Sequence, residues 1–334
     1  MRRILGILCV LLPILVQAQD KEVFSSVLRT NRYTTAPYYV EIDYPKNLPG
    51  MIARYRADST QTIIDYNYTN FNANGIANGY NASQPFFSGD VFQWVDISYR
   101  DTNNDGINDT PNNNHLTAHN RYRTSIDPWA SATYVPNTAT SPSYRTNAKV
   151  QGDGVDDHLF KDISPNLTDD FTFIFVMRAT NPNPGNYNSF IASSSSTSQQ
   201  NPNGPRIGGA WQVSTTNDRS TFYFGYCRKT NSGTSWLPLI PFDTQVHVFY
   251  IEYDKSANRL LVSVDGVTRV NHTVNTSNGQ MGPIIDELRL YRNRNMDTYI
   301  AAEFNEFFLA EVLFDESQKR KITNYLLAKW GVSS

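Results

Sequence analysis

The residues best spaced for chemistry are Asp101-Thr-Asn103-Asn-Asp105-Gly106-Ile107-Asn-Asp109. Oxygen-bearing side chains fall at the first, third, fifth and ninth places of this run, with glycine at the sixth, where a calcium loop must turn sharply. Calcium takes about six to eight hard oxygen ligands. The backbone carbonyl of Ile107 can join the side chains of Asp101, Asn103, Asp105 and Asp109. The departure from the pattern is Asn112, which stands where such loops carry a bidentate glutamate. The expected role of the ion is to staple the loop rather than to catalyse. The competing reading is a solvated Asx-turn loop, natural in an Asn-rich chain.

Other carboxylates are less suggestive. Asp153, Asp156 and Asp157 read first as turn residues bonding backbone amides, with a metal role at a sheet rim as the alternative. Glycan hydrolysis needs two carboxylates flanking the scissile bond. Glu41 and Asp43 begin such a pattern, but no third carboxylate follows and Pro45 would break a strand ladder. Glu303 and Glu306, three apart, face opposite sides of an ideal strand, and the adjacent Asp286 and Glu287 fail for the same reason. His115 and His119 would suit zinc only on a helix, and their surroundings read as loop. Enzymatic activity is therefore left open, with a non-enzymatic role preferred.

Sugar recognition uses aromatic faces for stacking and planar polar groups for the hydroxyls. Trp211 with Gln212, and Tyr223, Tyr226 and Arg228, lie on strand-like runs or their ends and form the candidate ligand-binding set. Tyr66, Tyr68, Phe71, Tyr80 and Phe86 lie in an Asn/Gly-rich stretch and offer a second platform. Ordinary core packing competes for every one of these aromatics.

The elements that must position them read as strands. Phe171 to Met177 is apolar on both alternating faces, the mark of a strand covered on each side. Val246–Tyr253 and Arg259–Val264 follow. Asp265-Gly266 then separates Leu260–Val264 from Val267–Val270, a type I′ hairpin signal that requires positive φ at both central residues. Further strands are expected at Glu287–Tyr291 and between Tyr299 and Phe314. One helix closes the chain: Asp315 and Gln318 form a capping box, Ile322, Tyr325, Leu326 and Trp330 share a face, and Gly331 stops it. The expected fold is all-β, a two-sheet antiparallel jelly-roll sandwich with one C-terminal helix.

Composition agrees. Of 334 residues 18% are charged and 13% aromatic, with a formal net charge of −2. The charged share falls below the ~25% usual for a globular chain, and the near-neutral balance gives no basic footprint for nucleic acid. Met1-Arg2-Arg3, the apolar run Ile4–Val16 and the small residues Val16 and Ala18 read as a signal peptide, 1–18, directing export. That run is too short to span a bilayer, so no transmembrane segment is expected after its removal. Cys227 would be the one cysteine left, which excludes an internal disulfide and makes a small buried apolar role the simplest one. A leader, 19–46, precedes a single domain, 47–334.

Several segments, in order, resemble laminin G-like domains of the concanavalin A-like lectin and glucanase superfamily. Val246–Asp254 and Arg259–Gly266 resemble the family's central hairpin, and Gly152-Asp-Gly-Val-Asp-Asp-His-Leu159 its segment before the first core strand. Leu48–Asp58 is similar to the opening strand. Gln93–Ser98 and Asn113–Thr117 are similar to one tryptophan- and aspartate-containing segment, here split by an insertion. Phe304–Gln318 and Tyr325–Gly331 resemble the last strand and the closing helix. The resemblance implies a jelly roll, and families of this kind include glycan binders, adhesive modules and glycan hydrolases or lyases. The expected function is a secreted, non-catalytic module recognising a glycan, with one structural calcium. The alternatives are a cell-surface adhesive protein that binds protein partners and a divergent glycan hydrolase or lyase.

Overall fold

The structure is a computed structural model that describes residues 48–57, 63–65, 91–94, 96–100, 110–118, 132–135, 147–181, 189–193, 211–215, 220–227, 234–276, 282–292 and 299–332. The described strands are β1 (Met51–Arg56), β2 (Ile63–Asp65), β3 (Val91–Trp94), β4 (Tyr99–Arg100), β5 (Thr110–Pro111), β6 (Leu116–Ala118), β7 (Thr133–Val135), β8 (Lys149–Asp153), β9 (Leu159–Leu167) and β10 (Phe171–Ala179). They continue with β11 (Ser189–Ala192), β12 (Trp211–Thr215), β13 (Thr221–Cys227), β14 (Thr234–Pro241), β15 (His247–Asp254), β16 (Arg259–Val264), β17 (Val267–Thr273), β18 (Ile285–Leu290) and β19 (Ala301–Ala310), and the helix α1 covers Glu316–Trp330.

Sheet A runs β17-β16-β15-β10-β19-β8-β7, with β1 pairing β19 beyond the end of β8. Sheet B runs β14-β13-β12-β11-β18-β9-β6-β3-β2. The pairings are antiparallel, and the non-sequential strand order carries the chain back and forth between the sheets. The all-β sandwich with a C-terminal helix is the observed architecture.

The pleat divides each strand between two environments. From β10, Phe171, Phe173, Phe175 and Met177 enter the inter-sheet core with Phe249, Phe307, Trp211 and Phe224. Phe175 stacks on Phe249 at 4.9 Å between centroids, and Trp211 on Phe224 at 5.4 Å. The other face of β10, Ile174 and Val176, meets Ile322, Tyr325, Leu326 and Trp330 of α1. The helix is thus the cover that makes β10 apolar on both sides.

Local signals account for the ends of these elements. Asp265 and Gly266 have φ of 52° and 79°, the two left-handed residues of the expected hairpin. Asp315 accepts from Gln318 N and Gln318 returns a bond to Asp315 N, while Gly331 ends α1 at φ 69°.

Asp96 ties together the stretches on either side of residues 101–109. Its buried carboxylate accepts from the backbone N–H groups of Arg54 (2.9 Å), Ser98 (2.8 Å) and Asn114 (3.0 Å). Asn112 and Asn114 donate to the carbonyls of Met51 and Ile52, each at 2.8 Å. Both stretches are so tied to β1. Burial raises the Asp96 pKa although all three amides favour its charge. Between the two stretches, β4 and β5 pair Tyr99 with Pro111 and Arg100 with Thr110.

Candidate functional site

Sheet B separates the expected ligand-binding residues by the pleat. Trp211, Val213, Phe222, Phe224 and Tyr226 point into the inter-sheet core. Trp211 is 0% and Tyr226 2% exposed. Neither can stack on a sugar, which corrects the expectation for both; the reason is that each alternates in register with core neighbours. Gln212 and Tyr223 take the opposite, outer side. Arg228 lies outside the described residues, as do Tyr66, Tyr68, Phe71, Tyr80 and Phe86.

The outer side holds an aromatic that the sequence reading passed over. Trp236 pairs with Gly225, which pairs with Gln212. A Cβ at position 225 would stand 2.5 Å from Cε3 of the Trp236 indole. The six-membered ring therefore occupies the space that a side chain at 225 would take, and lies against the strand. Glycine permits that close approach. Tyr223 and Pro238 pair on the same side, one pleat repeat along. Trp236 and Tyr223 are partly exposed and Pro238 is exposed. Pro238 and Pro241 suit β14 to the edge of sheet B, where a missing N–H breaks no ladder.

Behind the aromatics the floor is polar. Gln212 Nε2 donates to Ser214 Oγ at 3.3 Å, while Gln212 Oε1 is buried with no hydrogen-bond partner. The cross-strand row continues from Gln212 through Ala192 to Arg289, whose guanidinium pairs with Glu287. Asp286 and Glu287 thus supply no carboxylate pair: Glu287 is committed to this ion pair.

The carboxylates of β19 are placed differently from expectation. Val176 pairs with Glu306 and Arg178 with Glu303, and the register shifts between them so that Asn305 is bulged. The bulge brings Glu303 and Glu306 to the same face instead of opposite ones. Both are nearly fully buried and ion-paired: Glu303 with Arg178 and Lys149, Glu306 with Arg54 and Lys329. Glu303 ties β19 to β8 and β10 within the sheet, Glu306 ties it to β1 and α1, and the two present no free acid–base pair.

The other candidates divide similarly. Carboxylate oxygens of Asp153, Asp156 and Asp157 lie within 4.8 Å of one another. Asp157 accepts from Asp153 N at 2.6 Å and Asp153 from Val155 N at 2.7 Å, the turn-forming role. His115 Nδ1 accepts from Asp96 N at 3.0 Å, and its pKa is lowered by burial and by Lys161. His119 and the candidate calcium ligands Asp101, Asn103, Asp105, Ile107 and Asp109 lie outside the described residues. So do the proposed signal and leader.

No family model matches the chain. No curated protein matches it either. Among solved structures it is similar to the binding domain of botulinum neurotoxin DC in complex with rat synaptotagmin II, at 14% identity and a TM-score of 0.42, over 63% of this chain and 51% of that one. A botulinum neurotoxin type C structure, described as dependent for cell entry on two ganglioside molecules, matches at 12% identity and a TM-score of 0.42, over 63% and 50%. The serotype D ligand-binding domain in complex with N-acetylneuraminic acid matches at 8% and 0.41, over 59% and 47%. The chain spans about half the length of these structures. No helix among the described residues is long and apolar enough to cross a membrane.

Proposed function

We propose that this chain is an exported, non-catalytic module of laminin G-like type that binds a glycan on the outer side of sheet B, at the β13–β14 edge. The observation that carries the reading is the Trp236 indole lying across Gly225. An aromatic ring laid flat against a sheet edge and partly exposed is the kind of surface on which a pyranose stacks. Tyr223 and Pro238 extend the platform, while Gln212, only 4% exposed, lies beneath it as part of the buried polar floor rather than as a sugar contact. The calcium loop at 101–109 is part of the proposal, supported by the ladder of β4 and β5, which brings together the residues flanking it.

A glycan array probed with the full chain tests the reading, followed by titration of the best ligand into Trp236→Ala. Saturable glycan binding that falls at least about tenfold in the variant supports it, since aromatic contacts of this kind dominate binding sites. Absence of any glycan signal at high protein concentration sinks it. Release of reducing ends or unsaturated products would replace it with the hydrolase or lyase alternative.

A further inference from the structure

On the opposite outer side of the sandwich, a cleft of about 220 Å³ opens between α1 and sheet A. Its floor includes the cross-strand row Tyr250–Ser263–Thr268 over β15, β16 and β17. Its wall is the first half of α1, where Lys319, Arg320, Thr323 and Asn324 share one face at helical spacing. Farther along, Tyr325, Leu326 and Trp330 fill the equivalent space with apolar bulk. Beside Tyr250 and Leu261 the floor under the first half carries the small residues Ser263, Gly266 and Thr268, and at its far side a Cβ at 266 would stand 3.4 Å from the Thr323 methyl, so the cleft is shallow and closed there by the helix.

The lining leaves one charge without a partner. Lys319 is held by Glu252 at 2.7 Å and by Glu316 at 3.0 Å, and Glu252 also meets Arg259 at 3.4 Å. Burial opposes the charge on Lys319, but its bonds to these two carboxylates outweigh it and raise its pKa. Arg320 is exposed and makes no ion pair or hydrogen bond among the described residues. Around it stand groups that both donate and accept, the hydroxyls of Ser263 and Thr268, 3.4 Å apart, the Thr323 hydroxyl and the Asn324 amide, while the one lining carboxylate, Glu316, is paired with Lys319 at 3.0 Å.

A guanidinium fork matches a carboxylate, and neutral hydroxyl and amide groups match ring hydroxyls. The cleft is smaller than the ~300 Å³ at which pockets for drug-sized molecules begin, so it suits a single ring. We propose that it binds one acidic sugar, a uronate-type monosaccharide or chain end, with the carboxylate on Arg320 and the hydroxyls on Ser263, Thr268, Thr323 and Asn324. This site lies on the other sheet from Trp236 and does not depend on the platform there.

The test is calorimetric titration of the full chain with glucuronate, glucose and sodium sulfate. The expected result is saturable binding of glucuronate, weaker by about tenfold or more for glucose and for Arg320→Gln. Ser263→Phe, which fills the floor, should abolish it, while Trp236→Ala should leave it unchanged. Arg320 is exposed and unpaired, so its replacement keeps the fold. The proposal is overturned by absence of saturable glucuronate binding, by equal affinity for glucose, by sulfate binding as tightly as glucuronate, or by binding that survives Arg320→Gln.

Discussion

The carboxylate of Glu306 on β19 and the ammonium of Lys329 on α1 meet at 2.7 Å inside the layer between helix and sheet. Glu306 also accepts from Trp330 Nε1 at 3.2 Å and from Arg54 Nη2 at 3.0 Å, so one wholly buried acid ties three elements together. Lys329→Met should destabilise the chain by about 3 kcal/mol, at the low end for a broken buried pair because Arg54 remains. Lys329→Met combined with Glu306→Gln should cost less than the two single changes added together. Urea denaturation of the four proteins measures this; strict additivity would refute the coupling.

The two tryptophans of sheet B should respond in opposite ways. Trp211 is enclosed by Phe171, Phe173 and Phe224, so Trp211→Ala should cost about 3–5 kcal/mol of stability. Trp236→Ala removes a partly exposed edge residue, so glycan affinity should fall with a much smaller loss of stability. Thermal melts and ligand titration on the two variants separate the roles. Gly225→Ala should weaken binding as well, because its Cβ displaces the indole from its seat.

How much of this could be read from the sequence depended on how local its cause was. The Asp265-Gly266 turn, the Asp315–Gln318 box and the Gly331 stop are set by a few neighbouring residues, and all three were legible. The double-sided β10 was legible too, although its second cover, α1, lies well over a hundred residues away. The platform was not. Trp236 lies flat because a glycine from a different strand stands opposite it, and cross-strand register is not written in either strand alone. The alternation Trp211-Gln212-Val213-Ser214 did contain the signal that Trp211 turns inward with Val213. Glu303 and Glu306 share a face only through the bulge at Asn305, a defect that strand periodicity does not reveal.

His247 should behave as a pH-dependent clip between the sheets. It opens β15 in sheet A, with Nδ1 2.6 Å from Asp265 Oδ2 in the hairpin turn and Nε2 2.9 Å from Asp243 Oδ1 in the connection from β14. Burial opposes protonation, but the hydrogen bonds and charges of Asp265 and Asp243 outweigh it and raise the pKa above 6.5. A raised histidine pKa stabilises the fold fully below the unfolded value, and that contribution is lost as pH rises through the folded value. The His247 ring should titrate by NMR above the ordinary histidine pKa of about 6.5, and Asp243→Asn should lower its midpoint. An unchanged midpoint in that variant would show that Asp243 does not hold the charge.

Calcium binding at 101–109 should appear as stability rather than as activity. The flanking residues Arg100 and Thr110 are paired across the β4–β5 ladder, and Asp96, which fixes the following segment to β1, lies directly upstream. An ion that orders the loop stabilises the folded chain by mass action. At about a hundred times its dissociation constant the gain is about 2.7 kcal/mol, enough to raise the melting temperature by several degrees. Addition of a calcium chelator should therefore lower the melting temperature of the natural chain and leave Asp105→Ala unaffected. Because Asp105 is one of several oxygen ligands, Asn103→Ala should produce a partial effect, with weaker calcium affinity and an intermediate response to chelator. If the natural chain and Asp105→Ala give equal heats on calcium titration, the loop is an Asx-turn hairpin and the ion belongs elsewhere or nowhere.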